Sequence, residues 1–172
     1  MANYFQASAL AIMLSVASHG AFAAQDADDF VEDASAKGVA EVEAGKLAEE
    51  KGTAADVKSF AKMMVTDHTA ANDKLASIAS QKKLKVSDHA QLMDKAKAMI
   101  LELRSAKSFD QAYANNQVKA HQATIKLFEE QASSGEDADL KAFATATLPK
   151  LKAHLAEAQK LAAAHGGDAA KN

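Results

Sequence analysis

The stretch VKSFAKMMVTDHTAANDKLASI, residues 57–78, decides the fold. Val57, Phe60, Met64, Ala71, Leu75 and Ile78 recur at spacings of three, four and seven, so they fall on one face of an α-helix. No Pro or Gly interrupts the run, and charged or small polar residues fill the other face. His68 sits in the middle of the apolar face, where a histidine is out of place unless it has a partner.

Working outward, similar punctuation and periodicity predict four more helices. The first spans Asp29 to Lys51, with Asp28 as N-cap and Gly52 as stop. The helix containing residues 57–78 is expected over Ala54–Gln81, opened by Thr53 and Asp56 as a weak capping box. After a linker, Lys82 to Val86, Ser87 is expected to cap a shorter helix reaching Arg104. Ser108 and Gln111 form a better capping box for a helix reaching Ser133. Gly135 breaks the chain, and Asp137 caps a last helix that reaches His165. Leu140, Ala144, Leu148, Leu151, Leu155 and Ala158 share its face, and Pro149 within it is expected to kink it.

Composition agrees. Among 172 residues there is one Pro, no Trp, and only 5% aromatics, so an all-β chain with its many turns is excluded. An Ala-rich apolar content favours close helix packing. The expected fold is all-α: a ferritin-like four-helix bundle with an additional short crossover helix. If that short helix carries the chain back along the bundle, helices two and four run parallel. An up-and-down five-helix array is the alternative. The net charge of −3, with both signs interleaved, offers no basic stripe for nucleic acid. The absence of Cys removes thiol chemistry, disulfides and cysteine metal sites.

No Asp, Glu, Lys or Arg precedes Asp26, and Ala7 to Ala17 is an apolar run followed by Ala21-Phe22-Ala23. That is the pattern of a signal peptide, residues 1–23, cut after Ala23, with Ala24 as the alternative site. The n-region lacks Lys and Arg, and an uncleaved membrane anchor is the rival reading. Gln6, Ser15, Ser18 and His19 make a poor permanent span. Residues 24–28 then form a short linker, 29–165 the bundle and 166–172 a flexible tail. Localisation is expected to be periplasmic or secreted, with no membrane span after cleavage, as a monomer or homodimer.

Three histidines lie near the middles of three different long helices: His68, His121 and His154. With antiparallel packing they come to one level. Glu41 lies on the small-residue side of a face built from Val31, Ala34, Gly38, Val42 and Gly45. Buried and unpaired it would cost several kcal/mol, so inward it needs a metal cation or a protonated histidine as partner. Asp67 is placed to bond a ligand imidazole from outside the coordination sphere. These residues suggest a metal site of His68, His121, His154 and Glu41, with Asp67 behind it. The position three before each histidine is apolar (Val65, Val118, Leu151), whereas di-iron bundles carry Glu there. A single ion is therefore expected, with Zn, Fe, Mn or Cu all chemically open. His89 and His165 are expected at the surface, and Met63, Met64, Met93 and Met99 as packing residues.

Residues 38–48 (GVAEVEAGKLA), 64–69 (MVTDHT), 109–113 (FDQAY) with His121, and 147–149 (TLP) with His154 resemble the bacterial family called domain of unknown function 4142. The resemblance covers about Phe30 to Leu161. It implies a secreted ferritin-like bundle and supplies no activity. Two main functions follow as expectations. One is single-ion binding, serving metal handling or protection against oxidative or envelope stress. The other is a non-catalytic envelope-stress or interaction protein with no metal site. Lipid association through opened amphipathic helices is a third. No catalytic residue is assigned.

Overall fold

The computed structural model describes residues 26–86, 88–105 and 108–168, and contains five helices there: α1 Ala27–Lys51, α2 Ala55–Lys82, α3 His89–Ser105, α4 Phe109–Ser134 and α5 Ala138–Ala164. No described residue is in a strand, as an all-α bundle requires. The residues expected to form a signal peptide and Ser87, the expected cap of α3, lie outside the described residues.

α1 and α2 form one antiparallel hairpin and α4 and α5 the other. The hairpins meet through α1 against α4 and α2 against α5. α3 lies along α1 with a lighter contact on α4, and returns the chain from the foot of α2 to the head of α4. α2 and α4 therefore run parallel. With α3 packed on α1 rather than between α2 and α4, this is the crossover topology expected from the sequence and not the up-and-down array.

Capping explains most boundaries. Asp26, rather than Asp28, caps α1, so the bundle begins two residues earlier than expected. Asp28 instead accepts from the Lys85 N–H and ties the linker to the foot of α1. Asp88 accepts from the Gln91 N–H at the start of α3. Ser108 caps α4 and Asp137 caps α5 as expected. Thr53 does not cap α2. Its N–H and that of Ala54 are both taken by the carboxylate of Asp110, reaching over from the first turn of α4. At the foot of α2, Lys83 adopts a left-handed conformation (φ 58°), and the Leu84 N–H closes onto Ala79 O. That is a Schellman-type stop made without glycine. α5 continues as one helix through Pro149. Pro149 and Thr145, whose carbonyl loses its donor, both face solvent, so water can take up the freed acceptor.

The core has two halves. The foot holds Phe30, Phe128 and Phe143 in edge and tilted contact, with Leu75, Ile125, Leu140 and Leu151. The head holds Phe60, Met64, Tyr113, Val118, Ala158 and Leu161. The buried face of α1 is Phe30, Val31, Ala34, Gly38, Glu41, Ala44, Gly45, Leu47 and Ala48, with Val42 only half-buried. Gly45 permits the close approach of α1 and α2: a Cβ there would stand 2.7 Å from Val65 Cγ2 and 3.1 Å from Ala61 O. Between the halves runs a polar layer of Glu41, His68, Gln117, His121 and His154, all buried. No described helix is long and apolar enough to cross a membrane.

Candidate metal centre

The fold brings the three helix-centre histidines to one level. His68 and His121 stand roughly 18–20 Å below the heads of α2 and α4, and His154 about 15 Å below that of α5, at 1.5 Å of rise per residue. One ring nitrogen from each lies within 4.8 Å of those of the other two. Their ring centres form a nearly equilateral triangle with sides of 5.5, 5.5 and 5.4 Å. Three imidazoles bound to one ion through bonds of about 2.1 Å place their ring centres roughly 5.2 Å apart at tetrahedral angles and ~5.5 Å apart at trigonal ones. The protein therefore holds the rings at ligating separation.

Hydrogen bonding decides which nitrogen each ring presents. His121 Nδ1 is 2.9 Å from Gln117 O, one turn earlier on α4. A carbonyl only accepts, so Nδ1 carries the proton and Nε2 is a bare lone pair. His154 Nε2 is 2.9 Å from Asp67 Oδ2. The carboxylate accepts from Nε2–H, leaving the lone pair on Nδ1. The nitrogens left over are His68 Nε2, His121 Nε2 and His154 Nδ1. All three are buried and have no hydrogen-bond partner among the described residues. A buried polar atom without a partner costs about 1–3 kcal/mol, and an ion held by this cluster could satisfy all three.

The electrostatics favour the neutral forms of His68 and His154. Burial, and then the neighbouring His121 and His154, push the His68 pKa down to about 3. Burial also lowers His154, although Asp67 partly opposes it. Asp67 itself is raised by burial, but hydrogen bonds from Lys150 and His154 outweigh that and hold it ionised below its usual range. Its Oδ1 accepts from Lys150 Nζ at 2.8 Å. This Lys150–Asp67–His154 chain is the carboxylate–imidazole support that metal-binding histidines use.

Glu41 is in the same layer but outside this group of donors. Its Oε2 accepts from Gln117 Nε2 at 2.7 Å, and burial raises its pKa even against the lowering influence of His121. Gln117, which sequence reading passed over, thus does two things: its side chain holds Glu41 and its carbonyl orients His121. Only its position four residues before His121, on the same face, could have signalled this. His89 is exposed, as expected. His165 is half-buried and bonds Asp56 across the head of the bundle. Gly166, expected to start a free tail, accepts from Gln111 Nε2 on α4. Met64 is fully buried, Met93 and Met99 partly so, and Met63 is exposed.

Comparison with known proteins adds a family without an activity. The family model described as domain of unknown function (DUF4142) matches residues 13–161. Neither a curated protein nor a solved structure matches the chain.

Proposed function

The chain belongs to the family of domain of unknown function 4142, and we propose that it is an extracytoplasmic metal-binding bundle holding one transition-metal ion through His68, His121 and His154. The observation that carries this is the convergence of three unpartnered, buried imidazole nitrogens, two of them fixed as lone pairs by Gln117 O and Asp67. Neutral imidazoles suit borderline-soft ions, so Zn²⁺ or Cu²⁺ is favoured over Mn²⁺. The apolar neighbours Val118 and Leu151 are buried one turn before their histidines, where a bridging carboxylate would have to stand for a second ion. Glu41 lies in the same buried layer, with its Oε2 accepting from Gln117 Nε2.

The role that fits is metal handling outside the cytoplasm, by storage, delivery or removal of an ion that would otherwise do oxidative damage. Export is supported by the uncharged apolar run and the Ala-Phe-Ala site. The exported protein then begins at Ala24 or Gln25, and its intact mass tests this; a mass that includes Met1 supports the anchored form. For the metal, untagged protein is purified from its native compartment without chelator and analysed for elements. A near-stoichiometric content of one transition metal supports the reading. Metal-free protein that stays metal-free when Zn²⁺ and Cu²⁺ are supplied returns it to a non-catalytic interaction protein.

A further inference from the structure

Beside His68 and His154 the bundle leaves a partly enclosed cavity of about 30 Å³. His68 and His154 form part of its wall, and Leu75 and Phe128 make much of the rest apolar. Its charged lining is Lys37, Lys150 and Asp67. Asp67 is already engaged by Lys150 and His154, so the balance of charge is positive.

Size and charge together define what fits. A space of this kind holds about two water-sized groups, which excludes most organic metabolites. Apolar walls discourage bulk water, and two cations at the wall favour an anion. The donor set points the same way. Three neutral nitrogens leave a divalent ion with its full charge and at least one open coordination position. Glu41 is outside the donor group, and its Oε2 already accepts from Gln117 Nε2.

We propose that this cavity is a binding pocket for an anion of two or three atoms, which completes the coordination of an ion held by the three histidines. The proposal rests on the metal reading above. The pocket side of His68 and His154 is the ligand's approach, and Lys37 and Lys150 supply the field that draws it in. Larger anions are rejected by volume.

The test uses the mature chain loaded with Co²⁺, with azide as the probe and visible absorption as the readout. Azide is expected to change the ligand-field spectrum saturably, while benzoate at the same concentration does not. Ala71, on α2 one turn after His68, lines the cavity without being a donor. Ala71→Met should fill the space, leave Co²⁺ uptake intact and weaken azide binding roughly tenfold, the equivalent of one or two lost contacts. Thr147→Met fills it from the α5 wall and serves if the first variant does not fold. Lys37→Gln should weaken azide several-fold and reduce the salt dependence of its binding. A Co²⁺ spectrum indifferent to azide overturns the proposal. So does azide binding that survives in the folded filled variants, since the ligand would then arrive by the open groove between α2 and α5 that His154 also lines. A chain that takes up no Co²⁺ fails the metal reading itself, and is told apart by a blank spectrum before azide is added.

Discussion

Asp67 on α2 and His154 on α5 are joined by a 2.9 Å hydrogen bond between Oδ2 and Nε2. The bond spans two helices, fixes the tautomer of His154 and leaves its Nδ1 a bare, buried lone pair. Asp67→Asn keeps the shape but replaces a charged acceptor with a neutral amide. Affinity for Zn²⁺ should fall about 10- to 100-fold, measured by competition with a chromophoric chelator, with little change in the fold. Unchanged affinity would mean that Asp67 plays no part in ordering the site.

The apo-protein should lose stability in weak acid. The folded-state pKa of His68 lies at about 3, below its unfolded value near 6.5. Between those values the unfolded chain binds more protons than the folded one, so stability declines as pH falls from about 6.5 toward 3. His154, also lowered, adds in the same sense. Glu41 acts oppositely, because its raised pKa favours folding at lower pH from its usual value of 4.5 upward. Urea midpoints of apo wild type and His68→Leu, compared at pH 7.5 and pH 5.5 (both roughly chosen to bracket imidazole titration), separate the two. The wild type should drop more than the variant; equal drops would mean that His68 does not carry the effect.

Leu151 and Lys150 are neighbours with opposite fates. Leu151 is 3% exposed in the foot core, whereas the Lys150 side chain is 57% exposed. Leu151→Asp should cost about 4 kcal/mol, because it buries an unpaired charge. Lys150→Asp should cost about 1 kcal/mol through its exposed pair with Asp67. Denaturant unfolding measures both, and comparable losses would contradict the assignment of the α5 face.

Asp110 closes the head of α2 from α4. Its carboxylate accepts from Thr53 N and Ala54 N, each at 3.0 Å, and from the Thr53 hydroxyl. Asp110→Ala should cost about 2 kcal/mol, the upper range for a helix cap. His121 is roughly 16 Å further along α4, so metal affinity should be unaffected. A joint loss of stability and metal affinity would show the two ends of the bundle to be coupled.

Much of this arrangement was legible in the sequence because it depends on local rules. The caps Ser108 and Asp137, the stops Gly52 and Gly135, and the 3.6-residue periodicity of α2 and α5 fix helix number and direction. Packing of α5 antiparallel to both α2 and α4 then brings His68, His121 and His154 to one level. The less legible parts lie across the chain. The cap of α2 comes from Asp110, 57 residues after Thr53. The partner of Asp67 is His154 rather than the adjacent His68, because successive residues on a helix point about 100° apart. α1 is so rich in Ala and Gly that its face cannot be drawn sharply, which hid Ala44, Leu47 and Ala48 and left the surroundings of Glu41 undetermined. Gln117 offers only its spacing from His121 as a signal, yet it bonds both Glu41 and His121.

The central claim is that three histidines from three helices hold one ion. It is tested most directly by titrating the untagged apo-chain with Zn²⁺ at neutral pH and following calorimetric stoichiometry together with the melting temperature. The account predicts saturation at a single ion per chain and a rise in melting temperature that grows with free Zn²⁺. Most of that rise should be lost in each of His68→Ala, His121→Ala and His154→Ala and kept in His89→Ala. Two ions per chain, or a triple His68, His121, His154→Ala variant that still gains full stabilisation from Zn²⁺, would contradict it.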